Sequence, residues 1–321
     1  MADPSRLLSV ISTMWGRDSA RLIPYGTRAM SETWRVEFAD GKLPRLAVLK
    51  PLPAGGSGSA LVARLRLIQW LHEQGVSQLR IAPTVYGTQA ALLDDGSVFV
   101  LYEWVEGEEF SLSQPNAFRE GGLYLGEFHR AVAVYEDRSY PTPESGVAPL
   151  WREEIARRAQ VLVDTECPTR WLDRIARALD ELRPAGETLP ALILHGDYRA
   201  QNVRFQRGRA RALLDFDHSV YGERLADLAY ALLFYASVYR GGPMTPEQAR
   251  ELLLGYEEQM PLVGEERGAL GVWLRLALWR GVSLWLALHY ARGFPARVLS
   301  WARLFADSTD WLDGYAERAI G

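Results

Sequence analysis

Two carboxylates and a carboxamide at fixed intervals make one stretch of this chain chemically informative. Leu194-His195-Gly196-Asp197-Tyr198-Arg199-Ala200-Gln201-Asn202-Val203 is followed by Leu213-Leu214-Asp215-Phe216-Asp217. Asn202 comes five positions after Asp197, and Asp215 thirteen after that. The apolar runs Leu192 to Leu194, Val203 to Phe205 and Ala212 to Leu214 predict short strands, and the polar residues between them predict tight loops. Neighbouring loops then present three oxygen-bearing side chains. Phosphoryl transfer needs a carboxylate near the attacking hydroxyl and oxygen ligands for magnesium at the phosphates. Magnesium prefers hard oxygen donors, which Asn202 and Asp215 carry. Asp197 is left to orient the hydroxyl and accept its proton. The plainer alternative has each residue hydrogen-bonding its own turn. The ordered set, flanked by strands, favours the chemistry.

His195-Gly196-Asp197 with Asn202 behind it, then an apolar run ending in Asp215-Phe216-Asp217, resembles the aminoglycoside phosphotransferase and choline kinase family. Gly222-Glu223-Arg224-Leu225-Ala226-Asp227-Leu228-Ala229 is similar to its Gly-x-x-x-x-Asp-Leu-Ala segment, and Gly126-Glu127-Phe128-His129 to one of its helices. The resemblance implies an α+β, bilobal protein-kinase-like fold. A small antiparallel-sheet N-terminal lobe is expected over residues 1–103 and a large, mainly helical C-terminal lobe over 104–321, with ATP in the cleft between them. It implies ATP-dependent phosphorylation of a hydroxyl on a small molecule of aminoglycoside, amino alcohol, homoserine or sugar type. Lys50 would then hold phosphates, Asn202 and Asp215 Mg2+, and Asp197 the acceptor hydroxyl. The backbone around Glu103 to Val105 would hydrogen-bond adenine. Asp217 is an outer magnesium ligand or a loop acceptor. Asp227, early in a helix, is expected to brace the catalytic loop, and His195 and His129 to be packed structural residues.

The elements that must position these groups can be read in order. Leu7, Leu8, Ile11 and Trp15 mark an amphipathic helix. Trp34 to Ala39 and Arg45 to Lys50 read as a hairpin joined through Ala39-Asp40-Gly41-Lys42. Tyr25 to Ser31, before it, sits where the family covers the nucleotide phosphates, and reads equally as a plain turn. Lys50 is a phosphate-binding cation or a solvated strand end; it is one of only two lysines, the other being Lys42. Pro53 to Ser59 is flexible by composition, and no Gly-Lys-Ser/Thr follows it. Leu61, Leu65, Ile68 and Leu71 mark a helix that in the family carries a glutamate paired with the lysine; here that position falls near Arg64. Ser97 to Glu103 is a strand. Phe118, Leu125, Phe128 and Val132 begin the helical part, and Leu150 to Leu182 gives two helices broken near Cys167-Pro168. Val272 to Leu288, apolar on several sides and rich in tryptophan, reads as a central buried helix. Such a stripe is usually core, and the resemblance implies that one or two of these aromatics contact the acceptor.

Composition narrows the partners. A net charge of −4 with no basic block does not suggest nucleic acid. The single cysteine, Cys167, excludes an internal disulfide and a cysteine metal cluster. The longest apolar stretch, Leu270 to Ala291, is interrupted by Arg275 and Arg280, which disfavours a membrane span. The start Met-Ala-Asp-Pro-Ser-Arg has neither the basic nor the apolar region of a signal peptide, so a cytoplasmic protein is expected. Three rivals remain: a homoserine-kinase-like substrate, faintly suggested by Leu252 to Leu278; a serine/threonine protein kinase of the same fold; and a nucleotide-binding regulator, favoured only by the missing glutamate. Oligomeric state is not legible.

Overall fold

A computed structural model describes residues 3–18, 20–25, 33–52, 58–137, 139–144, 146–182 and 189–307. The expected phosphate-covering loop from Gly26 to Ser31, residues 53–57 of the Pro53 to Ser59 loop, and the tail from Leu312 lie outside them. The chain divides into two compact units, Met1–Gly107 with Arg211–Leu214, and Glu108–Ala210 with Asp215–Gly321.

The first unit begins with α1 (Pro4–Trp15), started by Asp3, whose side chain accepts the Ser5 N–H at 3.0 Å. Strands β1 (Ala20–Tyr25), β2 (Thr33–Phe38) and β3 (Leu46–Leu52) precede α2 (Gly58–Glu73), and β4 (Ala91–Leu92) and β5 (Val98–Glu103) follow. The sheet order is β1-β2-β3-β5-β4, antiparallel throughout. Alternation places Trp34, Val36 and Phe38 with Ala47, Leu49, Phe99 and Leu101 on one face, where they bury Leu7, Ile11 and Trp15 of α1. Each such side chain contributes about 1.5–3 kcal/mol of burial. Residues 211–214 join this unit through Gln78 N–H to Arg211 O, 3.0 Å, and Leu213 N–H to Ser77 Oγ, 3.2 Å.

The hairpin between β2 and β3 is longer than its Asp-Gly dipeptide predicts. Phe38 N–H reaches Arg45 O at 2.9 Å and closes a connection running from Ala39 to Pro44. Arg17 fills it, pairing with Asp40, donating to Lys42 O and Pro44 O at 3.1 Å, and stacking over Phe38 at 3.7 Å. The sequence reading missed β1 and β4. β1 is an edge strand containing Pro24, tolerated only where no ladder bond is needed, and β4 has two residues.

The second unit is mainly helical: α3 (Ala117–Val132), α4 (Val147–Val163), α5 (Thr169–Glu181), then β6 (Ala191–Leu194). β7 (Val203–Gln206) and β8 (Arg209–Leu213) make a two-stranded hairpin, of which the residues from Arg211 on count with the first unit, and β9 (Val220–Glu223) pairs antiparallel with β6. After them come α6 (Leu225–Phe234), α7 (Ser237–Arg240), α8 (Pro246–Gln259), α9 (Gly264–Tyr290) and α10 (Ala296–Ala306). α9 is the central helix the sequence predicts: Trp273, Leu276, Trp279 and Val282 are buried, and it packs against α4, α6 and α10. α3 and α8 cross at backbone contact. A Cβ on Gly122 would stand 1.7 Å from Leu252 O, and one on Gly255 2.0 Å from Arg119 O, so only glycine permits the approach. Among the described residues no helix is long and apolar enough to cross a membrane.

Candidate active site

In the second unit, β6 and β9 carry the polar stretch into a loop whose backbone is held by one carboxylate. Asp227, 1% exposed and in the first turn of α6, accepts His195 N–H at 2.6 Å on Oδ2 and Gly196 N–H at 2.8 Å on Oδ1. This is the bracing role expected for it. Gly196 has φ 79°, and a Cβ there would lie 2.2 Å from His218 O, so the loop can take this path only with glycine. Behind Asp227, fully buried His129 places Nε2 3.3 Å from the carboxylate and Nδ1 2.9 Å from Tyr256 Oη. Burial pushes the imidazole pKa down, with Arg224 adding to the effect against the pull of Asp227. A neutral ring therefore donates from Nε2 and accepts the Tyr256 hydroxyl at Nδ1. Burial works against the charge on Asp227, yet His129, His195 and the Gly196 N–H hold its pKa below the usual value.

The same α6 start is fixed on two further sides. Arg224, on the preceding turn, makes a buried two-pronged bond to Glu266 of α9, Nε to Oε1 at 2.6 Å and Nη2 to Oε2 at 2.5 Å. Glu223 accepts Val147 N–H at 3.0 Å and so satisfies a donor at the start of α4. The Gly222 to Ala229 segment thus joins three helices to the loop, and the parts played by Glu223 and Arg224 have no separate sign in the sequence.

Asp197 is 6% exposed and hydrogen-bonded on both oxygens. Oδ1 accepts the Tyr230 hydroxyl at 2.7 Å; Oδ2 accepts Arg199 Nη2 at 2.5 Å and Asn202 Nδ2 at 3.1 Å. Asn202 Nδ2 also donates to Asp197 O at 2.9 Å, and the Asp197 N–H donates to His195 Nδ1 at 3.3 Å. His195 is fully buried and packs its ring 5.0 Å from Phe216, a structural role as expected. Burial opposes the charge of Arg199, but Tyr230, Asp197 and Asp215 around it raise its pKa further. Asp215 follows β8, exposed and left-handed at φ 65°, ψ 68°, an uncommon backbone state for a residue other than glycine. Asp217 is half-buried in the next short turn. Sequence reasoning missed Arg199 and Tyr230. Their only signals are weak ones of proximity: Arg199 is two residues from Asp197, and Tyr230 is three from Asp227 on the same helical face.

The oxygen donors fit magnesium. Asn202 turns its NH2 to Asp197, which leaves its carbonyl oxygen for a cation, and the exposed Asp215 carries a carboxylate as the second oxygen donor. Among the described residues no group of three or more His, Cys, Asp or Glu could enclose an ion. One carboxylate and one amide suit a metal that completes its shell with water and phosphate oxygens.

In the first unit, Lys50 lies on β3 opposite the face holding Ala47 and Leu49, and is 9% exposed, so it is not the solvated strand end the sequence allowed. α2 carries no Asp or Glu before its last residue, Glu73, and Arg64 occupies its middle, half-buried. At the end of β5 the Glu103 N–H donates to Arg80 O and the Trp104 N–H to Leu46 O, at 2.9 and 3.1 Å. The Val105 N–H has no protein acceptor among the described residues.

The model of the family described as "Phosphotransferase enzyme family" matches residues 26–270, about three quarters of the chain. The homoserine kinase of Pseudomonas aeruginosa is 31% identical over 229 residues, 70% of this chain and 67% of that one. The acyl-CoA dehydrogenase family member 11 of Gallus gallus is 30% identical over 163 residues, 48% of this chain, which spans only 20% of that protein. An amicoumacin kinase solved in complex with AMP-PNP, Ca2+ and Ami superposes with a TM-score of 0.66 over 99% of this chain and 93% of that one, at 17% identity. That likeness establishes the kinase-like α+β fold expected from the sequence. With its Asp197, Asn202 and Asp215 loops and the matched span around them, the chain belongs to the phosphotransferase enzyme family.

Proposed function

We propose that this protein is an ATP-dependent kinase that phosphorylates a hydroxyl group of a small molecule. The observation that carries the reading is the setting of Asp197: a nearly buried carboxylate on a braced loop, hydrogen-bonded to Asn202 and one guanidinium away from Asp215. Asp197 receives the acceptor hydroxyl, orients it towards the γ-phosphorus and accepts its proton as the new O–P bond forms and the bond to ADP breaks. Tyr230 and Asn202 hold the carboxylate in place. Asn202 and Asp215 hold Mg2+, which when bound neutralises phosphate charge. Asp217 serves as an outer ligand or a loop acceptor. Lys50 contributes a point charge for the phosphates, and the backbone from Glu103 to Val105 reads adenine, with the unused Val105 N–H as donor. The AMP-PNP and Ca2+ of the amicoumacin kinase and the homoserine kinase relationship support nucleotide, divalent metal and small hydroxyl acceptor together.

The metal assignment is tested with chelator and with Asp215→Asn. ATP turnover is expected to stop without a divalent ion and to fall by about two orders of magnitude or more in the variant. Full turnover in chelator contradicts the assignment.

A further inference from the structure

On the α9 side of Asp197 the second unit assembles positive charge. Tyr230, bonded to Asp197, is also under the charge of Arg280. The helices meet here: a Cβ on Gly281 would lie 2.8 Å from the Phe234 ring, one helical turn along α6 from Tyr230. Arg280 donates from Nε to Glu154 Oε2 at 2.9 Å and stacks over Trp151 at 4.8 Å. Arg158 donates to the same oxygen at 3.0 Å. Two guanidinium groups therefore share a single carboxylate oxygen, and one positive charge is left over in the triad. Glu154 and Arg280 are 18% and 19% exposed, neither sealed in the core nor fully solvated. The terminal nitrogens of Arg280 have no hydrogen-bond partner among the described residues. Glu154 keeps its pKa low against burial through these two arginines. Arg199, the cation in contact with Asp197, is already paired with it.

A polycationic acceptor would need carboxylates at this place. Glu154 is taken twice, by Arg280 and Arg158. A fixed, partly dehydrated guanidinium with unused planar donors instead matches a carboxylate or phosphate oxygen pair. We propose that the acceptor carries an anionic group as well as its reacting hydroxyl, and that Arg280 receives that group while Asp197 receives the hydroxyl. The inference rests on the kinase reading above and names its substrate class. Arg280 is then a specificity residue, and Trp151 and Glu154 set its orientation.

The test is ADP release with ATP and three sets of acceptors: hydroxy acids and sugar phosphates, neutral polyols, and amino alcohols with aminoglycosides. The best acceptor is expected among the anions; carboxylates and phosphates are separate arms, and either one satisfies the proposal. Arg280→Gln should raise KM for that acceptor by about 10- to 100-fold with kcat within a few-fold, the scale of one lost charge-assisted bond. Arg280→Lys should recover part of the loss, and thermal melting identifies any variant that fails to fold. A neutral or cationic acceptor with kcat/KM equal to or above the best anion overturns the proposal and leaves the kinase reading intact. An unchanged KM in folded Arg280→Gln also overturns it. ADP release above background with no acceptor set refutes both readings together.

Discussion

Asp227→Ala is the substitution that most sharply tests how the loop is built. It removes the acceptor of three donors: the N–H groups of His195 and Gly196, at 2.6 and 2.8 Å, and Nε2–H of His129 at 3.3 Å. His195 and His129 are fully buried, so water does not readily replace the carboxylate there; Gly196 is half-buried and can recover part of its bond. Two orphaned buried donors at about 1–3 kcal/mol each, and a partly recovered third, give a loss of about 3–5 kcal/mol. Cutting one member out of a buried charged network carries a similar cost. Set against a typical domain stability of about 5–15 kcal/mol, this is a large share. Asp227→Asn should fall between, because its amide offers one acceptor and turns its NH2 towards a donor. Urea unfolding followed by tryptophan fluorescence reads the change. Transfer activity of the folded fraction should drop as well, since Asp197 is one residue beyond the second braced amide. A loss under about 1 kcal/mol for Asp227→Ala, or equal losses for the two variants, would refute the bracing argument.

The same network makes stability depend on pH. His129 is neutral in the fold, its pKa pushed below 6.5 by burial, whereas the unfolded chain takes up a proton there. Stability should therefore fall as pH drops through 6.5, by at most about 1.4 kcal/mol per pH unit for one group, and His129→Gln should flatten that limb in urea titrations. The Asp227 pKa is held below 3.8, so its contribution is present above 3.8 and lost as pH falls through its folded value; this lower limb should survive in His129→Gln. Tyr230→Phe deletes the 2.7 Å bond to Asp197 and should lower kcat by about tenfold, one charge-assisted bond, while the KM for ATP stays unchanged. Steady-state kinetics with each substrate varied separates the two effects.

Much of this was legible because the polar residues of the loop stand between short apolar runs whose period and length mark strands. Asp197, Asn202 and Asp215 could be read from oxygen chemistry and spacing, and Asp227 from its place early in a helix. The direct hydrogen bonds between Asp197 and Asn202 show that these two side chains meet. Arg199 and Tyr230 were not legible, because an arginine in a loop and a tyrosine on a helix have many ordinary uses. Only the folded approach of α6 to the loop aims Tyr230 at Oδ1. The Arg224–Glu266 bond joins residues 42 positions apart, and no local pattern announces such a pair. In the first unit the hydrophobic alternation revealed β2, β3 and β5. It could not reveal the two edge strands, whose side chains are mostly half-exposed and whose partners are set by the sheet. The longer β2–β3 connection was hidden for a related reason: the distant Arg17 fills it.

The central claim is that Asp197 acts on the acceptor hydroxyl. The direct test is Asp197→Asn, measured for ATP affinity by calorimetry and for product formation with the acceptor the panel identifies. Asparagine keeps the size and can still accept from Tyr230, but it has no charge with which to take a proton. ATP affinity should stay within a few-fold while phosphoryl transfer falls by about two to four orders of magnitude, the scale of a lost general base. Equal transfer rates in the two forms would contradict the account.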